Sequence, residues 1–165
     1  MNRRMFVGAL AVSAAGQQKK LLLPSDQPDE FSLRLMWYNP VPPIDQATWR
    51  VKIAGLVEKP QSFSVEQLRK FPHVEQSSRM KCVQCWSARA SWGGFRFGNL
   101  LDVVKPLPKA KAIRIDCADK WYEYMPIAEM LSPRVLMTLD LAGKPLPDKH
   151  GAPLRLIDPS RYGYK

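Results

Sequence analysis

The sequence lacks the short motifs by which many cofactor and nucleotide sites are recognised. It has no Gly-x-Gly-x-x-Gly fingerprint and no phosphate-binding P-loop, so neither of those nucleotide sites is indicated. It has no Cys-x-x-Cys-His motif, so covalently attached haem is not indicated either. No serine, histidine and aspartate are spaced in a way that predicts a hydrolytic triad.

Cysteine is scarce, and its odd count of three means that a disulfide framework cannot use every thiol. Cys82 and Cys85 form a single Cys-x-x-Cys pair. Three interpretations of the pair stay open at this point: part of a zinc site, a redox dithiol, or inert buried cysteines. Zinc has weak support because there is no second close pair, and its possible ligands are scattered over Cys82, Cys85, Cys117, His73 and His150. His150 is followed five residues later by Arg155, and together these could meet a phosphate or a polar ring.

Positive charge is in excess, with 25 Lys and Arg against 15 Asp and Glu and a net charge of +10. The basic residues are dispersed and do not interleave with aromatic residues in a tract, so no nucleic-acid partner is expected. An anionic ligand or partner is the alternative that this charge favours. The hydrophobic content of 45% is that of an ordinary globular chain, and the 15 scattered prolines predict short elements separated by loops.

Short strands and short helices alternate irregularly along the chain, which predicts an α+β fold with a mixed sheet. Ser64 and Gln67 have the spacing of a capping box, so a helix is expected over Val65–Lys70. A second helix is expected over Phe97–Lys105 and one or two helical turns within 127–134. Strands are expected within 48–57, in the segment that runs from His73 into Cys82, and within 111–126, 135–147 and 151–165.

The N-terminus has the pattern of an export signal. Arg3 and Arg4 precede an apolar run, Met5–Ala15, that ends in small residues, as in a twin-arginine signal over residues 1–15. The run is too short to span a bilayer as a helix, and an ordinary basic N-terminus is the alternative. Residues 16–33 are expected to be a polar linker, and residues 34–165 the folded domain.

At the level of whole segments, the chain resembles the sulfite oxidase superfamily of molybdopterin enzymes. The run "MKCVQCWSARASWGGFRFGNLLD" resembles the family's cysteine-ligand segment. "WYNPVPPIDQATWRVKIAGLVEKPQSFSVEQLRKFP", "DCADKWYEYMPIAEML" and "DLAGKPLPDKHGAPLRLIDPSRYGYK" agree with other family segments in the same order. Within the superfamily, the resemblance is greatest to exported oxidoreductases that include the catalytic subunit of periplasmic protein-methionine-sulfoxide reductase.

This resemblance implies a molybdenum-molybdopterin cofactor with Cys82 as the metal ligand. A soft thiolate suits a metal already held by the soft dithiolene sulfurs of the pterin. Cys85 then becomes a neighbour of the site rather than a ligand. Cys117 falls near a cofactor-side position where the reductase group has threonine. The other implied contacts, to the pterin, its phosphate or the loop that closes over them, are Asn39, His150, Arg155, Tyr162 and Lys165.

The resemblance also implies the reaction, which is oxygen-atom transfer to or from a small or protein-borne sulfur oxide. Tyr38 is a candidate catalytic residue, since sulfite-oxidising members have arginine there and reductase-type members have tyrosine. We therefore expect a reductase, with sulfite oxidation and a zinc-binding or cofactor-free remnant as alternatives. A periplasmic monomer that receives electrons from a membrane haem protein is the family expectation. The chain stops at Lys165, where relatives continue with a Ser-Val-Lys-like stretch, so we expect a C-terminally truncated form of the fold.

Overall fold

The computed structural model describes residues 20–36 and 39–163. The predicted signal over 1–15, together with residues 16–19, lies outside the described residues. The helices are α1 (Val65–Leu68), α2 (Phe97–Val104) and α3 (Ile127–Met130), with a single 3₁₀ turn at Asp148–His150. The strands are β1 (Val51–Ile53), β2 (Gln61–Phe63), β3 (Val74–Cys82), β4 (Ser87–Arg96), β5 (Ala112–Asp116), β6 (Tyr122–Pro126), β7 (Leu136–Leu141), β8 (Lys144–Pro145), β9 (Arg155–Ile157) and β10 (Tyr162–Gly163).

The main sheet has six strands and is mixed, as predicted. Its order is β10-β3-β4-β7-β8, and β9 also pairs with β7. β10 runs parallel to β3, whereas the other pairs in the sheet are antiparallel. Two hairpins, β1-β2 and β5-β6, form small separate sheets. The prediction of an α+β fold with a mixed sheet and short helices is therefore confirmed.

Local sequence signals predicted the short helices well. The Ser64 hydroxyl accepts a hydrogen bond from the Gln67 backbone N–H at 3.2 Å, and the Gln67 side chain accepts one from the Ser64 N–H at 2.8 Å. This reciprocal pair is the capping box, and it starts α1 at Val65. Helix α2 begins at Phe97 and ends where Lys105 takes a left-handed conformation with φ 53°.

The longest strand, β4, was not predicted. Its Trp92-Gly93-Gly94 sequence does not read as a strand, since glycine is normally depleted in strand interiors. The glycines serve a close approach, because a Cβ on Gly94 would lie 2.0 Å from the Met137 carbonyl oxygen of β7. The register between β4 and β7 also shifts between Gly93 and Gly94, which marks a bulge.

The described segment before β1 has two β-bridges within itself, and one of its residues packs in the core. Leu22 forms an isolated bridge with Val41, and Ser25 forms one with Leu35. Leu33 is 2% exposed and packs in the apolar cluster around Trp92, together with Leu136 and other core residues. Part of the segment that the sequence suggested as a linker therefore lies against the folded unit. Among the described residues, no helix combines the length and apolarity needed to cross a membrane.

A methyl group on Gly94 tests the close contact between β4 and β7. We expect Gly94→Ala to lower the free energy of unfolding by roughly 1–3 kcal/mol or more, because the strand backbones must separate. Urea unfolding monitored by tryptophan fluorescence measures the change. Gly98→Ala is the matched control, since its new Cβ would meet only the Leu131 side chain at 3.5 Å, an ordinary contact. Equal stabilities of the two variants would contradict the strand pairing described here.

Candidate functional site

An open cleft lies beside the C-terminal end of β3. Its lining combines polar or cationic side chains with apolar ones. The polar group is Arg34, Lys81, Cys82, His150 and Arg155, and the apolar group is Leu33, Met36, Met80 and Trp86. The backbone of Gly163 completes the lining. Three residues that the sequence singled out, Cys82, His150 and Arg155, therefore meet in one place.

Cys82 is held at the start of a tight loop. It is the last residue of β3, and its backbone N–H donates to the Trp86 carbonyl oxygen at 2.9 Å. On the other side, Cys82 pairs in parallel register with Gly163 of β10. The thiol is free and partly exposed to the cleft. Its position at a strand end with fixed backbone on both sides gives the sulfur a defined place in the wall.

Cys85 differs from Cys82 in exposure and in its position relative to the cleft. It lies in the loop between β3 and β4 with φ 61°, and it is exposed and does not line the cleft. No disulfide joins any of the three cysteines, all of which lie within the described residues. The Cys-x-x-Cys spacing is thus a consequence of the hairpin turn, and the two sulfurs have separate surroundings.

Arg155 is a cation without a carboxylate partner among the described residues. It opens β9, where it pairs with Thr138 of β7. Its guanidinium donates to the His150 carbonyl oxygen at 3.1 Å and lies 5.5 Å from the centre of the Trp92 ring. Burial lowers the pKa of Arg155 to about 10. A half-buried charge without a counterion is unfavourable, so this position is suited to an anionic ligand group.

His150 is the most deeply buried polar residue of the cleft. Its ring is 2% exposed, and Nε2 lies 2.5 Å from the Asp29 carboxylate. Burial lowers the pKa of His150, and the attraction of Asp29 only partly opposes this effect. The imidazole is therefore neutral near pH 7, and a neutral imidazole has one donor nitrogen and one acceptor nitrogen.

Two further cations extend the positive lining, and sequence reasoning did not identify them. Lys81 precedes Cys82 in β3, and its ammonium lies 5.0 Å from the ring centre of Tyr162. Tyr162, which the resemblance placed in a closing loop, is in β10 beside Lys81 and is largely exposed. Arg34 comes from the segment before β1. Nothing local in the sequence connects Arg34 with Cys82, since only the folding of the N-terminal segment brings them to the same cleft.

The remaining candidate residues are placed elsewhere or lie outside the described residues. Asn39 donates to the Asp119 carbonyl oxygen at 2.9 Å, in the turn between β5 and β6. Cys117 follows β5, and its backbone N–H donates to Trp121 at 2.8 Å. Neither side chain is part of the cleft lining. Tyr38 and Lys165 lie outside the described residues.

The zinc interpretation lacks a donor set in the part of the chain that the structure describes. Within residues 20–36 and 39–163, no three His, Cys, Asp or Glu side chains converge to hold a metal ion. His73, one of the scattered candidates, is exposed near Glu75. A metal at Cys82 would therefore need most of its ligands from a cofactor.

These features define a domain that can hold an anionic cofactor and offer a thiolate to its metal. The chain belongs to the oxidoreductase molybdopterin binding domain family, which it matches over residues 38–165. It is thus a molybdopterin-binding oxidoreductase domain, and the cofactor implied by the resemblance, molybdenum-molybdopterin, is confirmed at the level of the family.

Two known proteins illustrate the likeness. A putative protein-methionine-sulfoxide reductase subunit, YedZ1, of Azospira oryzae is 34% identical over 122 residues, which cover 74% of this chain and 47% of that protein. The chain therefore spans about half the length of this curated relative. The crystal structure of sulfane dehydrogenase SoxCD from Paracoccus pantotrophus has the same fold, with a TM-score of 0.65 at 18% identity. That match covers 93% of this chain and 51% of the SoxCD chain.

The residues of the cleft fit this cofactor. The free thiol of Cys82 is the soft ligand that molybdenum needs in addition to the pterin sulfurs. The uncompensated guanidinium of Arg155 suits a phosphate. The indole N–H of Trp86 is buried in the wall and has no hydrogen-bond partner among the described residues, so a ligand acceptor would satisfy it.

Removal of the Arg155 charge should have opposite effects on stability and on cofactor binding. We expect Arg155→Met to raise the free energy of unfolding of the cofactor-free protein by up to about 1 kcal/mol, because an unpaired, half-buried charge is replaced by an apolar group. The same variant should retain less pterin. Urea unfolding and fluorimetric pterin analysis measure the two effects.

Arg69→Met is the control for Arg155→Met. Arg69 forms two hydrogen bonds to Asp140, at 2.9 and 3.1 Å, and it does not line the cleft. Its loss should lower stability and leave the pterin content unchanged. If both variants destabilise the cofactor-free protein equally, the charge of Arg155 is compensated and the anion site is wrongly assigned.

Proposed function

We propose that this domain catalyses oxygen-atom transfer at a molybdenum centre ligated by Cys82. The observation that carries the proposal is the convergence of the free Cys82 thiol and the uncompensated Arg155 guanidinium in one cleft. The two residues are 73 positions apart in the numbering, so their convergence is a property of the fold. Membership of the molybdopterin-binding family supplies the identity of the ligand that they would share.

The chain's own residues have separable roles in this proposal. Cys82 supplies the protein thiolate, Arg155 pairs with the pterin phosphate, and His150 hydrogen-bonds the pterin. The bound cofactor supplies two-electron redox chemistry at molybdenum. Met80, Met36 and Leu33 line the same cleft with apolar surface, which excludes water from part of it. Arg34 and Lys81 provide a positive field that attracts the anionic cofactor.

Sulfoxide reduction is the direction that we favour. The similarity to a protein-methionine-sulfoxide reductase subunit supports a sulfoxide substrate, free or protein-borne. Tyr38, in place of the arginine of sulfite-oxidising relatives, supports the same direction. One observation favours the alternative of sulfite oxidation, since the cations Arg34 and Lys81 in the cleft would also attract a small anion.

We further propose that the protein works in the periplasm with a separate electron donor. The twin arginine at Arg3 and Arg4 and the apolar run after it support export in the folded state. The relative from Azospira oryzae is named as a subunit, which supports a partner chain, and a membrane haem protein would supply the electrons. Cell fractionation tests the location, and a cytoplasmic pool with an uncleaved N-terminus would contradict it.

The two cysteines of the hairpin turn test the metal assignment. We expect Cys82→Ser to lose turnover and most of its molybdenum, since a neutral hydroxyl is a poor ligand for a soft site. Cys85→Ser should retain near-stoichiometric molybdenum, because its thiol is exposed outside the cleft. Elemental analysis of natively produced protein gives the answer. Zinc in place of molybdenum, or loss of metal in Cys85→Ser, would overturn the assignment.

Paired assays distinguish the two reaction directions. Methionine sulfoxide with a reduced viologen dye should give turnover, whereas sulfite with an electron acceptor should give at least tenfold less under matched conditions. Arg34→Gln is informative as a second variant. It should reduce any sulfite activity more than sulfoxide activity, because a sulfoxide is uncharged. Faster sulfite oxidation than sulfoxide reduction would replace the reductase proposal by the alternative.

A further inference from the structure

Asp29 connects the N-terminal segment directly to the wall of the cleft. Its carboxylate lies 2.5 Å from His150 Nε2, although the two residues are separated by 121 positions. Both groups are shielded, with side-chain exposures of 10% for Asp29 and 2% for His150. The contact is a charge-assisted hydrogen bond between shielded groups, and it orients the imidazole.

The Asp29 carboxylate has hydrogen bonds on both oxygens. Oδ1 accepts from the backbone N–H groups of Phe31 at 2.9 Å and Leu33 at 3.1 Å. Oδ2 faces His150 and also lies 3.3 Å from the Lys149 ammonium. Burial raises the pKa of Asp29, but the hydrogen bonds from His150 and the two backbone groups outweigh this effect, so the net pKa is lowered. Asp29 is therefore ionised near pH 7 and can only accept hydrogen bonds.

Because Asp29 can only accept hydrogen bonds, it determines which imidazole nitrogen of His150 carries the proton. His150 Nε2 must carry a hydrogen in order to donate to Asp29. Burial keeps the ring neutral, and the positive charges of Arg155 and Lys149 act in the same direction. The other nitrogen, Nδ1, is therefore unprotonated and is an acceptor. The ring also has an edge contact with Phe31, at 5.6 Å between ring centres, and Arg155 donates to the backbone carbonyl oxygen of His150.

We propose that Asp29 is a positioning residue that holds His150 in the Nε2-protonated tautomer, so that Nδ1 accepts a hydrogen bond from an N–H group of the pterin. The identity of that donor rests on the proposed function, whereas the tautomer does not. Asp29 acts through His150 and does not itself line the cleft. The segment before β1 is then part of the cofactor site, since it supplies both Asp29 and the lining residue Arg34.

Nitrogen NMR of the cofactor-free full chain tests the tautomer directly. The protein has two histidines, and His73, whose side chain is 53% exposed, serves as an internal reference. Long-range proton-nitrogen spectra at pH 7 should show His150 neutral with the proton on Nε2. In Asp29→Asn, the amide can donate to Nε2, so the proton should move to Nδ1. Asp29→Glu keeps a carboxylate and should keep the original tautomer.

Glu30→Gln is the matched control, since it removes a carboxylate from the adjacent position. Glu30 contacts Lys149 at 2.5 Å, and no hydrogen bond among the described residues joins it to His150. In Glu30→Gln, the His150 tautomer and the cofactor content should equal those of the wild type.

Asp29→Asn should retain about ten- to a hundredfold less molybdenum and pterin, the range typical of lost outer-shell partners.

The outcomes separate this inference from the proposed function. A wild-type His150 that is protonated on Nδ1, or doubly protonated at pH 7, overturns the inference even if Asp29→Asn does not fold. Full cofactor retention in Asp29→Asn with a changed tautomer also overturns it, while leaving the proposed function intact. Absence of molybdenum and pterin from the wild type would overturn the proposed function, and the tautomer would still be measurable.

Discussion

The close pairing of β4 with β7 at Gly93 and Gly94 is the constraint on which the site depends. Gly94 lets the two backbones approach to a distance that a methyl group would prevent. β4 also pairs with β3 along its length, and β3 ends at Cys82. On the other side, β7 pairs with β9, where Thr138 lies opposite Arg155. The thiol and the guanidinium are thus carried by strands whose relative position is set by one narrow contact in the middle of the sheet.

Within the described residues, one cation of the site has no counterion, and this indicates the charge of the ligand that the site would bind. Arg155 is half-buried and has no carboxylate partner among the described residues, and desolvation lowers its pKa. A stable fold tolerates such a charge where a ligand supplies the missing counterion. His150, in contrast, is neutral and already has a hydrogen-bond partner in Asp29. Arg155 therefore lacks an anionic partner among the described residues, whereas His150 is already oriented by the protein.

Local sequence patterns predicted local structure. The capping box of Ser64 and Gln67, the helix from Phe97 and the hairpin of β5 and β6 each depend on residues close together in the chain, so short windows were sufficient. β4 escaped prediction because its glycines are explained by a contact with β7, about 45 positions away in the chain, and not by their neighbours. The resemblance identified Cys82, His150 and Arg155, but it could not show which of the other candidates share their cleft.

The sequence by itself determined the family and the class of fold and singled out Cys82 as the candidate soft ligand, because these follow from residue types in a fixed order along the chain. Only the tertiary structure decided that Cys85 faces away from the cleft, that Asn39 and Cys117 lie at a different turn, and that Arg34 and Lys81 join the wall. It also decided the partner of His150. Asp29 has no local signal that distinguishes it from any other acidic residue before the domain. Its role arises from burial against a histidine 121 positions away, and burial is a property of the whole fold.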